Sequence, residues 1–174
     1  MAVRAVLKMG HPILRQVAAP VERFGGAELL ALVEDLDDTM RALNGAGLAA
    51  PQIGISRRVV VFEVSSNPRY PDVEPVPYTV LINPVLEPLD SAMAEDWEGC
   101  LSVPGLRGRV PRYTKLRYRG RDPQGGLIDR VVSGFHARVV QHEVDHLDGV
   151  LYPMRMTDLA SLSFEDTLFP DAVS

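Results

Sequence analysis

At 174 residues and 46% hydrophobic composition, the chain is sized for one domain with a real core, expected to span 1–174 with an acidic tail from about 157. A net charge of −5 speaks against general affinity for nucleic acid, and no run approaches the ~20 apolar residues of a membrane helix. The single cysteine, Cys100, excludes an intramolecular disulfide and agrees with a reducing compartment.

Arg4 and Lys8 interrupt the N-terminal stretch, so it lacks the apolar run of a signal peptide, and a cytoplasmic location without membrane contact is expected. Residues 27–43 read as an amphipathic helix, with Leu29, Val33, Leu36, Met40 and Leu43 on one stripe and Glu34, Asp35 and Asp38 elsewhere. Asn44-Gly45 supplies a stop. After a glycine-rich segment, residues 58–64 form a β-branched run, read as a buried strand. Pro68, Pro71, Pro75 and Pro77 mark 65–78 as a loop. Further strands are expected at 79–83, 85–89 and 114–120, where Leu116 and Tyr118 alternate with Lys115, Arg117 and Arg119. Arg107 to Arg121 is the densest positive stretch, expected to be the solvated face of a strand, with a local anionic contact as the alternative. Asp122-Pro-Gln-Gly-Gly126 has turn chemistry, and 127–132 returns as a partner strand. Ser133 is placed to cap a helix over 134–147. Strands in the middle with helices near both ends predict an α+β fold with mostly antiparallel sheets.

The chemistry is concentrated in Gln141-His142-Glu143-Val144-Asp145-His146. Histidines at i and i+4 share one helix face, roughly 5–6 Å apart at Cβ, within reach of one metal ion. Glu143 falls beside that metal, placed to handle protons for a water molecule. The plain alternative is a pair of helix-face histidines satisfied by hydrogen bonds.

A catalytic site needs a third protein ligand and an open position. Extension to HExxHxxGxxH fails, because Tyr152 stands at the third histidine's place and a phenol is a poor ligand beside imidazole. Glu165 lies downstream in a short segment with no convincing helix to aim it. Cys100, in Glu98-Gly-Cys-Leu-Ser-Val-Pro-Gly105, offers a thiolate suited to a soft tetrahedral site, although a lone cysteine is often an inert core residue.

Three segments together, Gly47-Leu-Ala-Ala-Pro-Gln-Ile-Gly54, Glu98-Gly-Cys-Leu-Ser-Val-Pro104 and Gln141-His-Glu-Val-Asp-His146, resemble the three signature motifs of the peptide deformylases, in the family's order. Leu7-Lys-Met-Gly-His-Pro-Ile-Leu-Arg15 also resembles the family's N-terminal stretch, so the likeness covers roughly residues 4–156. The resemblance implies antiparallel sheets packed around a central helix that carries the HExxH motif. It implies a hydrolase that removes the N-formyl group from the formylmethionine of nascent polypeptides, releasing formate. It carries the metal ligands onto Cys100, His142 and His146, the acid/base group onto Glu143, and oxyanion stabilisation onto the Gln52 amide and the Leu101 N–H. The implied cofactor is one divalent ion, iron(II) in the cell, with zinc, nickel or cobalt able to take its place.

Substrate contacts are expected at Gly45 and Gly47, where an extended peptide can add as a strand. Phe135 and Val139, at helical spacing before His142, are expected to line a methionine pocket, although their spacing fits ordinary core residues equally. Gly99 and Arg107 are expected as flanking contacts. Glu98 and Arg112 are expected to pair behind the ligands, with Asp145 orienting a partner. The expected partners are N-formylmethionyl peptides and, transiently, the ribosome. The C-terminal stretch with Glu165, Asp166 and Asp171 is acidic, so ribosome docking would use another surface. Three other readings are weighed: an HExxH metalloendopeptidase with a different third ligand, a cysteine hydrolase with Cys100 as nucleophile, and a non-enzymatic domain whose metal is only structural, which leaves Glu143 and Gln52 without a purpose.

Overall fold

The computed structural model describes residues 2–65 and 72–170; Pro68 and Pro71 of the expected loop and Asp171 of the acidic stretch lie outside them. In chain order the elements are α1 (Ala27–Ala42), β1 (Gly47–Ala49), β2 (Val59–Val64), β3 (Val76–Pro88), β4 (Met93–Cys100), β5 (Val103–Tyr113), β6 (Lys115–Arg121), β7 (Leu127–Ser133), α2 (Gly134–Leu147), β8 (Ser163–Phe164) and α3 (Glu165–Leu168). The fold is mixed helix and sheet, and every pairing between these strands is antiparallel. One sheet has the order β1-β2-β3-β6-β7, the other β4-β5-β8.

The β-branched run of β2 is explained by burial on both of its faces. Val59 and Val61 pack with Leu29, Leu36 and Met40 of α1, while Val60, Phe62 and Val64 pack with Ala137, Val140 and Val144 of α2. A strand covered on both sides reads as a continuous apolar run because its alternation has no solvent side. β6 has Leu116 and Tyr118 on the α2 side and Lys115 and Arg119 exposed on the other, which preserves the alternation seen in the sequence. α2 contacts β1, β2, β3, β5, β6 and β7, so it touches both sheets.

Several expectations need correction. The two strands expected at 79–83 and 85–89 are one strand, β3, which begins at Val76 inside the expected loop. Their separation reflects an irregularity between Ile82 and Val85, where Asn83 takes φ 51° and its side chain hydrogen-bonds both the N–H and the carbonyl of Val21. The β4–β5 hairpin, Met93–Cys100 with Val103–Tyr113, is not among the expected strand pairs, because its glycines, prolines and charges break any period-2 pattern. The arginines from 107 onward are not uniformly solvated: Arg107 and Arg112 are buried and ion-paired. Ser133 occupies the N-cap position of α2 but makes no side-chain capping bond.

Candidate metal centre

α2 carries His142 and His146 one turn apart, their ring centroids 5.1 Å from each other. Cys100 ends β4 where the pairing with β5 slips between Gly99 and Cys100, so the thiol leaves the regular ladder and turns towards the helix. Its Sγ stands 3.4 Å from His146 Nε2, and the ligand atoms of Cys100, His142 and His146 all lie within 4.8 Å of one another. Bond lengths of ~2.3 Å to sulfur and ~2.05 Å to nitrogen give a tetrahedral S···N edge of about 3.5 Å, so the spacing suits a single ion. Among the described residues this is the group of three that could hold a metal, and it leaves a fourth corner without a protein ligand.

His142 is oriented from behind. Its Nδ1–H donates to Glu98 Oε1 at 2.7 Å, so Nε2 is the ring nitrogen that could serve a metal ion. Glu98 is the hub of a buried charge network. It accepts from Arg112 Nε and Nη2 at 2.9 Å each and from Arg138 Nη1 at 2.7 Å. Arg112 also donates to Asp145 at 2.6 Å, and Asp145 accepts from Arg155 at 2.9 Å. Burial opposes the charge on Glu98, but bonds from Arg112 and His142 outweigh it and hold the carboxyl well below the usual range. For His142, too, burial is overcome by its partners Cys100 and Glu98, which raise its pKa. Burial, helped by the charge of His142, lowers that of His146.

Glu143 is placed differently. It is buried, its Oε2 has no hydrogen-bond partner among the described residues, and burial pushes its pKa up to about 7. A carboxyl poised near neutrality can both accept and return a proton. Gln52 comes from a 3-10 turn, Ala50–Ile53, in the glycine-rich segment. Its Oε1 accepts from Ala49 N at 2.8 Å, and its Nε2 donates to Ser102 Oγ at 3.1 Å and approaches Cys100 Sγ at 3.5 Å.

One cleft is lined by Gly45, Gly47, Gly99, Leu101, Arg107, Phe135 and Val139 together with Gln52, Cys100, His142 and Glu143. It therefore gathers every expected site residue except His146, which lies beneath it, buried and beside Cys100. Val139, and Phe135 at its margin, belong also to the core around α2. Gly47 fits because a Cβ there would overlap the Glu143 side chain. Glu165, weighed as a metal ligand, instead pairs with Arg107 at 3.0 Å.

Three residues take supporting roles that are not among the sequence expectations. Ser102 anchors the Gln52 amide. Tyr152 lays its ring against His142, centroids 6.3 Å apart. Arg138 ties α2 to the β4–β5 hairpin through Glu98, Val110 O and Ala94 O. For Arg138 a signal existed: a lone charge within the buried run Ala137-Arg-Val-Val140 needs buried partners. The N-terminal stretch also acquires a task, since Leu7 N donates to Gln52 O at 2.8 Å and Met9 N to Ser102 O at 2.7 Å.

Residues 3–161 match the sequence model of the polypeptide deformylases. The chain is 66% identical over 168 residues to peptide deformylase 1 of Nitrosomonas europaea, covering 97% of this chain and 96% of the relative. It is 61% identical over 169 residues to peptide deformylase 2 of Ralstonia nicotianae, with the same coverage. Its fold superposes with a TM-score of 0.86 on the Met-Ala-Ser-bound crystal structure of a class I type b peptide deformylase from Acinetobacter baumannii, at 41% identity, covering 89% of this chain and 99% of that one. The chain belongs to the polypeptide deformylase family, the enzymes that remove the N-formyl group from nascent peptides.

Proposed function

We propose that deformylation here runs on a divalent ion held by Cys100, His142 and His146, iron(II) in the cell, with zinc, nickel or cobalt able to occupy the same donors. The observation that carries this reading is the 3.4 Å spacing of Cys100 Sγ and His146 Nε2, with Glu143 in the same cleft as Cys100 and its Oε2 without a hydrogen-bond partner among the described residues. When bound, the ion acts as a Lewis acid towards water and the formyl oxygen. Glu143 accepts a proton at Oε2 from the water that attacks the formyl carbon. As the C–N bond breaks, Glu143 returns that proton to the departing amine, and formate and a free N-terminus leave. The Gln52 amide and the Leu101 N–H donate towards the oxygen on which negative charge builds.

The free edge of β1 gives the peptide backbone a strand to pair with through Gly45 and Gly47, a mode that reads extension rather than sequence. Phe135 and Val139 receive the methionine side chain, and Gly99 and Arg107 flank the chain beyond it. The tripeptide Met-Ala-Ser in the Acinetobacter baumannii relative supports a cleft of this kind. In this reading the antiparallel sheets build one catalytic domain around α2. The enzyme works in the cytoplasm and meets nascent chains through transient ribosome contact away from its acidic C-terminal stretch. An endopeptidase is not favoured, since the matching family and the relatives are deformylases.

The test is formate release from formyl-Met-Ala-Ser by anaerobically purified protein, with acetyl-Met-Ala-Ser as control and metal content measured alongside. Turnover of the formyl peptide, lost on chelation and restored by iron(II), is expected. Activity that survives chelation but falls to thiol alkylation would point to a cysteine hydrolase and overturn the proposal.

A further inference from the structure

The C-terminal segment is part of the cleft. β8 pairs with β5 in the register Leu106↔Phe164 and Arg107↔Ser163, which brings Glu165, at the start of α3, into the cleft wall. Glu165 Oε1 accepts from Arg107 Nε at 3.1 Å and lies 3.0 Å from Nη2. The same guanidinium sits 5.7 Å from the Phe169 ring centroid, and Phe169 meets Trp97 edge-on at 6.0 Å. Arg107 is the cross-strand partner of Gly99, next to Cys100, and its stem passes 3.5 Å from where a Gly99 Cβ would stand. A guanidinium with 8% of its side chain exposed thus borders the cleft beside the proposed metal ligand, and a carboxylate 26% exposed answers it from the C-terminal segment.

An uncompensated cation here would attract acidic side chains from a bound peptide. An extended chain advances roughly 3.3 Å per residue, so the second and third residues fall about 7–10 Å beyond the methionine's start. We propose that Glu165 is a specificity-determining residue: by offsetting Arg107 at the cleft wall it sets the enzyme against acidic residues, and towards basic or neutral ones, just after formylmethionine. This rests on the reading that substrate peptides lie along this cleft. Glu165 donates no ligand and moves no proton; it changes only the charge that a downstream side chain meets.

The experiment compares kcat/KM for formyl-Met-Ala-Glu against formyl-Met-Ala-Lys, and for formyl-Met-Glu-Ser against formyl-Met-Lys-Ser, in wild type, Glu165→Gln and Glu165→Asp, with metal content measured for each. The wild type is expected to favour lysine. Glu165→Gln should shift at least one of the two ratios about fivefold towards glutamate, with metal content retained and the shift shrinking in high salt. Glu165→Asp, which keeps the charge, should recover most of the wild-type ratio. If both ratios stay within about 1.5-fold of wild type, or if all peptides lose activity equally, Glu165 only braces the C-terminus and the proposal is overturned. Wild-type protein that released no formate from any peptide would defeat the deformylase reading itself, a failure distinct from an unmoved ratio.

Discussion

Glu98 Oε1 lies 2.7 Å from His142 Nδ1, and the two residues join the end of the hairpin that carries Cys100 to the helix that carries both histidines. The bond selects the tautomer and the ring plane of His142 in one stroke, because a carboxylate flanked by two guanidinium groups can only accept. Glu98→Gln keeps the shape but can present an N–H where an acceptor is needed. Metal affinity is expected to fall about 10–100-fold, read by competition with a chelator of known affinity. Unchanged affinity would show that helix geometry alone aims the ring.

Arg112 is placed between two buried acids, Glu98 and Asp145. Arg112→Met removes the shared cation and leaves Arg138 and Arg155 to compensate from one side each. Truncating one partner of a buried ion pair costs about 3–5 kcal/mol, since the partner is left charged and dry. Urea unfolding should show a lower midpoint with an unchanged slope. A loss under about 1 kcal/mol would mean that the network relaxes or takes in water.

The same network predicts how stability depends on pH. The Glu98 carboxyl is depressed in the folded chain, so its contribution is present above the unfolded value near pH 4.3 and is lost as pH falls below it. Acid should therefore destabilise the protein by about 1.4 kcal/mol per pH unit for this one group below pH ~4. Glu98→Gln should be less stable at neutral pH yet lose less on acidification. Parallel curves for the two proteins would assign the acid sensitivity elsewhere.

Glu143→Ala removes no proposed ligand, so the variant is expected to retain metal while turnover drops about 10²–10⁴-fold. Metal analysis and formate release on the same sample check both halves at once. Full activity would remove Glu143 from the proton path.

Gly47→Ala tests the fit between β1 and α2. The added methyl group would overlap the Glu143 side chain, and burial leaves that carboxylate little room to retreat. Displacing a proton-transfer group by about 1 Å can cost on the order of 10²-fold in rate. The expected signature is a lower kcat with retained metal, and crystals of the variant should show Glu143 moved.

The local elements with clear periodicity were legible in the chain. α2 was expected over 134–147 and spans Gly134–Leu147, because a helix with a long apolar stripe carries its own 3.6-residue signal. The i, i+4 histidines follow from that helix alone, since their spacing is set by backbone geometry. The β-branched run of β2 was equally plain, its burial on both faces leaving no other composition open to it. Which residue joins the histidines could not be read locally. Chemistry ruled out Tyr152 but left Cys100 and Glu165 open, and resemblance to a family pointed to the cysteine.

Tertiary structure brings Cys100 beside the histidines by a slip in strand register. One irregular step between Gly99 and Cys100 turns the thiol out of the β4–β5 ladder towards α2, and no pattern within the hairpin announces it. Glu165 goes to Arg107 for the same kind of reason: pairing of β8 with β5, across more than 50 residues of chain, sets where its carboxylate lands. The Glu98–Arg112 pair was among the expectations, but that Arg138 joins it is decided by the fold, which encloses Glu98 between the two guanidinium groups. Composition and period specify what a segment can become, through backbone geometry and burial of one face. Contacts between distant segments depend on register and packing, and these are fixed only when the whole core closes.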